Sequence, residues 1–392
     1  MPKVLFAGVE FKNPVLVASG PLTSSVKLLQ EAERHGAAGA STKLTMRHPP
    51  AGQLRAYVDT ELGMIHASER RLSLEEGVRL IEEAKATTSL KLFANITSET
   101  GVLEEWVALA EACAKAGADF IEANLCCPMI GLDQAHIGKH SRGSQGGAVA
   151  GEEPELVFRI SRAITTQVSV PLVCKLTPTV PSMVEVAVAA QEGGAKGIAV
   201  FGGPSLVLPP LDLERGGVPM YPLVEGACYG FLAGPSIKYA SYKRVAEVKC
   251  AVSLPVIGSG GISSWRDAVE MMMWGADLVG VCASVMMHGF AVLQDIVEGI
   301  ERYLQERNLD SYSAIVGAAL RFLRPASEVK VVPGYAVVDV DRCVGCGRCA
   351  RIGHCSAISL VNGKATVAQE ACIGCGMCYF LCPYHAIKLV AL

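Results

Sequence analysis

The sequence predicts an α/β fold: a closed (β/α)8 barrel followed by a small α+β domain rich in cysteine. Two observations carry this. Short apolar runs alternate with amphipathic stretches eight times over about 305 residues, the arithmetic of a closed eight-unit barrel. Eight of the fifteen cysteines then crowd between Cys343 and Cys382, which marks a domain boundary. The predicted units, strand then helix, are Val15–Ala18 with Ser25–His35, Ala40–Leu44 with Ser73–Ala86, and Lys91–Ile96 with Leu103–Ala116. Phe120–Leu125 with Pro154–Gln167, Leu172–Leu176 with Ser182–Gly193, and Gly197–Phe201 with Ser236–Lys249 follow. Val256–Ser259 with Ser263–Gly275, and Leu278–Cys282 with a helix from Phe290 to Gln305, complete the set. A doubly wound sheet is the rival, but eight units without a switch in strand order favour closure. The predicted boundaries are 1–308 for the barrel, 309–332 for a linker and 333–392 for the small domain.

Composition agrees with a large buried core. Apolar residues make up 51% and charged residues 19%, which excludes global disorder. The net charge of −3 gives no basic field for nucleic acid. The start of the chain has no signal-peptide pattern, and the most apolar stretch, Leu278 to Leu293, is interrupted by Gly280, His288 and Gly289. A soluble, cytoplasmic protein with no membrane segment is expected.

The tail reads Cys343-x2-Cys346-x2-Cys349-x5-Cys355, then Cys372-x2-Cys375-x2-Cys378-x3-Cys382-Pro383. The second run has the spacing of bacterial two-cluster iron–sulfur proteins, and the first differs by two extra residues before its last cysteine. In that arrangement three cysteines wrap one cube and the fourth of each run ligates the other. One [4Fe–4S] cluster is therefore assigned to Cys343, Cys346, Cys349 and Cys382, the other to Cys372, Cys375, Cys378 and Cys355. Gly345, Gly347, Gly374 and Gly376 supply permissive backbone. Zinc is the alternative, but zinc sites pair their cysteines rather than setting them in triplets. The segment resembles bacterial 2[4Fe–4S] ferredoxins over about 60 residues, which implies electron transfer.

Active sites of such barrels are built at the C-terminal ends of the strands. Strand seven ends in Ile257-Gly258-Ser259-Gly260-Gly261-Ile262 and strand eight in Val281-Cys282-Ala283-Ser284. Together these read as a phosphate cradle, because backbone N–H groups can approach an anion where no Cβ blocks them. Lys43 and Lys175 sit at two other strand ends, and Asn95 and Asn124 are amides at the same level that could bond a planar heterocycle. After strand four comes Asn124-Leu125-Cys126-Cys127-Pro128-Met129. A thiol can trade protons near neutrality. Pro128 favours extended backbone at Cys127, although side-chain alternation alone does not choose between Cys126 and Cys127.

These residues resemble the dihydroorotate dehydrogenase family, and in particular the FMN and iron–sulfur part of dihydropyrimidine dehydrogenase. The matching runs are Val9-Glu10-Phe11-Lys12-Asn13-Pro14, Ala18-Ser19-Gly20, Thr42-Lys43, Asn124-Leu125 with Cys127-Pro128, and Pro154-Glu155-Leu156-Val157. Lys175-Leu176-Thr177-Pro178, Tyr229-Gly230, Ala233-Gly234, Gly260-Gly261-Ile262 and Gly275-Ala276 follow in family order. The resemblance implies FMN at the barrel mouth. Ala18, Ser19, Gly20, Lys43, Asn95, Asn124 and Lys175 would meet the ring or ribityl part. Gly202, Gly234, Ser259, Gly260, Gly261, Cys282, Ala283 and Ser284 would hold the flavin and its phosphate. Cys127 aligns with the catalytic cysteine, which moves a proton while flavin N5 takes or gives hydride at the neighbouring carbon.

The departures are as informative. Cys126 replaces a small hydroxyl residue, and Met129 replaces a polar one. Met64-Ile65-His66-Ala67-Ser68 stands where pyrimidine enzymes carry a substrate-binding Asn and an acidic residue, and Phe201-Gly202-Gly203 where an Asn-Thr pair is expected. His66, Ser68, Cys126, Met129, His136 and His140 are therefore the candidate substrate residues. Fewer amide-reading groups predict poorer discrimination for a pyrimidine-like ring. The loop 130–147, with His136, Lys139, His140 and Arg142, reads as a lid over a different, anionic or larger, substrate, or else as a solvated loop.

No nicotinamide-binding G-x-G-x-x-G lies on a strand–helix turn, so electrons are expected to pass through the clusters to a partner. The expected partner is a reductase subunit carrying FAD and using NAD(P)H, or a soluble ferredoxin. From Pro333 onward five basic and three acidic side chains either steer an acidic partner or offset cluster charge. A homodimer or hetero-oligomer is expected by family analogy. The leading function is a flavin and iron–sulfur oxidoreductase acting on a C=C or CH–CH bond of a cyclic or conjugated carbonyl compound. The alternatives are an electron-transfer subunit that keeps FMN without substrate chemistry, and a phosphate-binding lyase or isomerase with an attached ferredoxin.

Overall fold

A computed structural model describes residues 3–49, 57–60 (backbone only), 63–66, 70–98, 102–127, 146–203, 207–221, 223 and 230–392. The chain divides into two compact units, Met1–Phe322 and Leu323–Leu392. In the first, eight parallel strands form a ring: β1 Val15–Val17, β2 Gly39–Ser41, β3 Lys91–Ile96 and β4 Phe120–Leu125. β5 Leu172–Leu176, β6 Gly197–Phe201, β7 Val256–Ser259 and β8 Leu278–Val281 continue it. Ring order follows chain order, and β8 pairs back onto β1 with Val279 opposite Val15 and Val281 opposite Val17. Closure rules out the doubly wound sheet.

The helices are α1 Val26–Arg34, α2 Leu74–Thr87, α3 Leu103–Lys115 and α4 Pro154–Gln167. They continue with α5 Met183–Glu192, α6 Lys238–Ala251, α7 Trp265–Met273 and α8 Ala291–Glu306. Their starts are chemically marked. Ser73 accepts from Glu76 N–H while the Glu76 carboxylate accepts from Ser73 N–H, a reciprocal cap that fixes where α2 begins. Ser182 and Ser264 cap α5 and α7, and Pro154 opens α4, where its missing N–H costs nothing.

The N-terminal end of the ring is corked by aromatics. Strands Val4–Phe6 and Val9–Phe11 form a hairpin whose Phe6 and Phe11 pack with Phe93 of β3 and Phe120 of β4. Phe93 and Phe120 stack with centroids 4.3 Å apart. All four rings are buried, each worth about 1.5–3 kcal/mol on transfer from water. With that end filled, the opposite end is where a ligand can enter. There the chain makes an antiparallel excursion of Tyr57–Thr60, Gly63–His66 and Phe231–Ala233.

Part of the span assigned above to a linker is attached to the barrel. Gly317 and Ala319 donate to the carbonyls of Met272 and Met273 at the end of α7, and the Tyr312 hydroxyl donates to Glu301 of α8. Tyr312 and Ile315 are buried. The polar run Asn308 to Ser313 hid this anchorage from sequence.

The second unit is a duplicated structure offset by 29 residues (372 − 343 = 29). Strands β9 Gly334–Val338, β10 Ile358–Val361, β11 Lys364–Val367 and β12 Ile387–Ala391 pair as β9 with β12 and β10 with β11. The short helix α9 Met377–Leu381 lies within the second cysteine run and carries Cys378. Equivalent bonds recur at the same offset: Asp339 N–H donates to Ala386 O, and Ala368 N–H to Ala357 O, both at 2.7 Å. No helix among the described residues is long and apolar enough to cross a membrane.

Candidate active site

The C-terminal ends of the barrel strands surround a cavity of about 210 Å³, too large to be a packing void. Its walls hold Ala18, Ser19 and Gly20 after β1, Lys43 after β2, Asn124 and Lys175 within β4 and β5, and Cys126 and Cys127 after β4. Gly234, Ser259, Gly260, Gly261, Cys282, Ala283 and Ser284 line the other side, with His66 from the excursion. Thirteen of the fifteen candidate cofactor residues thus meet in one place. Ser68, Met129, His136, His140 and the span 130–145 of the expected lid lie outside the described residues.

Two candidates fall outside the cavity. Gly202 packs against α6, where an added Cβ would lie 2.3 Å from the Ser241 backbone, so it serves strand–helix packing. Asn95 is fully buried behind Asn124. Asn124 Nδ2 donates to Asn95 Oδ1 at 3.0 Å, and Asn95 Nδ2 donates in turn to Glu122 Oε1. Sequence places both residues at the level of the mouth without saying which side of the barrel wall they face.

Glu122 is a residue that sequence reasoning missed. Buried in β4, it also accepts from the Ser41 hydroxyl at 2.8 Å and lies 3.9 Å from Lys175 Nζ. Burial works to lower the Lys175 ammonium, but the Glu122 carboxylate beside it outweighs that. Lys175 is held above its ordinary range, a charged donor at neutral pH.

The two thiols occupy different environments. Burial pushes Cys126 up to about 12, so it stays protonated and inert. Cys127 is half-buried, and its backbone N–H, like that of Cys126, donates to Asn124 Oδ1. Asn124 therefore fixes the turn that presents Cys127 to the cavity.

Arg71 is the second residue that was missed. Its Nη2 donates to Cys127 Sγ at 3.4 Å, it is buried, and it lines the cavity. Leu72 and Ser73 hold it there by pairing in parallel with Thr45 and Met46, and the Ser73 cap follows at once. Arg70, beside it, points outward to Glu76. In sequence Arg70-Arg71 reads as a charged surface pair. Only the alternation of an extended segment, one residue out and one in, would have flagged Arg71.

The cradle after β7 and β8 fits a phosphate. Gly261 has φ +82°, and a Cβ there would lie 2.5 Å from the Lys238 backbone, so only glycine allows this approach. Ser284 Oγ is buried with no hydrogen-bond partner among the described residues, an orphan donor at the cavity wall. A phosphorylated ligand would satisfy it. Lys175 and Lys43 then offer cationic donors deeper in the mouth, the donor set a flavin mononucleotide needs.

In the second unit Ala336 N–H donates to Cys372 Sγ and Ala365 N–H to Cys343 Sγ, each at 3.4 Å and each crossing between the repeats. Burial raises the Cys378 thiol, as do Cys372, Cys375 and Cys355 around it, which sets Cys355 beside the second triplet. Burial likewise raises Cys349, beside Cys343 and Cys346. Among the described residues no three ligands converge on a single ion.

The family model for dihydroorotate dehydrogenase matches residues 1–304, and that for a 4Fe–4S binding domain matches 365–388. The chain is 31% identical over 322 residues to the catalytic subunit of dihydroorotate dehydrogenase B (NAD(+)) from Pyrococcus abyssi, covering 82% of this chain and all of that protein. It is 29% identical over 359 residues to the NAD-dependent dihydropyrimidine dehydrogenase subunit PreA of Escherichia coli K12, covering 88% of this chain and 84% of that one.

Proposed function

The chain belongs to the dihydroorotate dehydrogenase family and is an oxidoreductase with a 4Fe–4S binding domain, and on that premise we propose a specific reaction and route for its electrons. It oxidises or reduces a CH–CH or C=C bond of a cyclic or conjugated carbonyl compound, with FMN in the barrel mouth and two [4Fe–4S] clusters in the C-terminal unit. The observation that carries this reading is the half-buried thiol of Cys127, held by Asn124 and met by Arg71, in the same cavity as the glycine cradle.

Gly260, Gly261 and Ser284, with Gly234, Ser259, Cys282 and Ala283 beside them, would hold the phosphate end. Ala18, Ser19, Gly20, Lys43, Asn124 and Lys175 would face the ring and ribityl part. Bound there, FMN supplies hydride exchange and converts between two-electron and one-electron steps. Cys127 gives or takes the proton on the substrate carbon next to the one that exchanges hydride. Asn124 positions it through two backbone bonds, and Cys126, pushed up by burial, does not compete for the proton.

Cys343, Cys346, Cys349 and Cys382 would hold one cluster and Cys372, Cys375, Cys378 and Cys355 the other. Electrons would pass through them to a separate reductase subunit or a ferredoxin.

The test is cofactor content and turnover of anaerobically purified protein. One FMN and about eight irons per chain are expected. Cys127→Ala should lower turnover of a dihydropyrimidine, dihydroorotate or related substrate by roughly 10²–10⁴ while keeping the flavin. A Cys127→Ala variant with undiminished electron throughput would instead identify an electron-transfer subunit.

A further inference from the structure

We propose that Arg71 is the anion anchor of this site, and that the substrate is a carboxylate with an otherwise apolar body rather than a neutral diamide ring. The inference rests on the reading of the barrel mouth as a substrate site, and it names the class of molecule received there. Arg71 is 6% exposed, lines the cavity, and forms no ion pair among the described residues. Its Nη2 reaches Cys127, but its buried Nε has no hydrogen-bond partner at all among the described residues.

A buried guanidinium without a counter-charge is costly, and native structures tolerate that where a ligand completes the pair. Nε and Nη2 share one edge of the planar group, the edge that receives a carboxylate in two-pronged fashion. A carboxylate seated there lies beside the Cys127 thiol, at the place where the proton is exchanged.

The other cations of the mouth are not open in the same way. Lys175 is opposed by Glu122, and Lys43 has partners of its own within the protein. Nor are the amides available as readers of a ring. Asn124 Oδ1 accepts from two backbone N–H groups, its Nδ2 donates to Asn95, and Asn95 donates to Glu122. The same cavity is also lined by the apolar side chains of Leu44, Met64, Phe231, Met286 and Met287, with His66 stacked on Phe231 at 5.1 Å. A cation without a counter-charge among the described residues, in a cavity with these apolar side chains, suits an amphipathic acid. A ureide ring needs several buried donors and acceptors.

The test is calorimetric binding to the anaerobic holoenzyme, which reads affinity rather than turnover. The probes are cyclohex-1-ene-1-carboxylate, its carboxamide, orotate and uracil. The acid should bind on the order of a hundredfold tighter than its carboxamide and tighter than orotate or uracil. Arg71→Gln should erase the preference for acid over amide, and Arg71→Lys should restore part of it, because lysine keeps the charge but not the fork. Circular dichroism and flavin content show that each variant is folded.

An acid that binds no better than its amide, a preference that survives Arg71→Gln, or orotate or uracil binding tighter than the apolar acid would each overturn the proposal. Failure of Cys127→Ala to change turnover would remove the proton-transfer reading and leave this binding result intact.

Discussion

Cys126→Ala and Cys127→Ala form a paired experiment at the scale of single residues, because adjacent thiols occupy opposite environments. Loss of Cys126 is expected to leave turnover within a few-fold of the parent, in contrast to the large loss from Cys127. Steady-state assays on the two proteins side by side check this, and equal losses would contradict it. Glu122→Gln should be more damaging to the fold, since it strips the counter-charge from Lys175 inside the strand layer. A loss of about 3 kcal/mol in urea unfolding is expected. The thiol pair, the lysines and the glycines of the cradle were legible in the sequence because their positions at strand ends follow from chain order. Glu122, Arg71 and the burial of Asn95 were not, since each depends on which way a strand residue faces across the ring.

Secondary-structure elements were read more completely than side chains, because strand and helix periods are local. β3, β4, β5, β6 and β7 have the limits expected from their apolar runs, and the α4 limits also coincide. The turn between β7 and α7 shows what sequence spacing alone omits. Asp267 accepts from Ser263 N–H and from both the Ser263 and Ser264 hydroxyls, while Lys238 Nζ lies 2.7 Å away on α6. Burial alone would raise the Asp267 carboxyl, but the bonds from Lys238, Ser263 and Ser264 prevail and hold it below its ordinary value. The linked stability is therefore present above about pH 4 and lost as pH falls through the depressed folded value. Lys238, raised chiefly by its bond to Asp267, contributes below about pH 10 and loses that contribution at higher pH. Asp267→Asn should flatten the acid limb of the stability–pH curve and loosen the cradle at Gly261, measured as thermal midpoint against pH and as flavin retention.

At the scale of the whole molecule, two units of different composition share one chain, and the cysteine asymmetry announced that division. The anchorage of residues 312–322 on the barrel did not announce itself, because its contacts are to α7 and α8 rather than to neighbours in sequence. The duplication at 29 residues has a direct consequence for cluster assignment. If the ligand sets cross between repeats, Cys382→Ser and Cys343→Ser should perturb the same cluster, and Cys355→Ser and Cys372→Ser the other. Electron paramagnetic resonance of the reduced proteins separates the two patterns, and losses grouped by repeat rather than across repeats would refute the crossed assignment.

The interior of that duplicated unit is made of Ala336, Ile358, Ala365, Ala386 and Ile387 together with Cys343, Cys349 and Cys378. Three of the eight side chains in this cluster are thus candidate ligands, and the other five are small or medium in size. So little grease cannot hold some seventy residues closed; the inorganic sulfide and iron must act as the filling that the side chains do not provide. Oxygen, in destroying that filling, would erase the tertiary structure of one unit while sparing the other. Air exposure would then behave as a local denaturant, and the aged protein would keep a folded barrel joined to a tail that proteases can trim away.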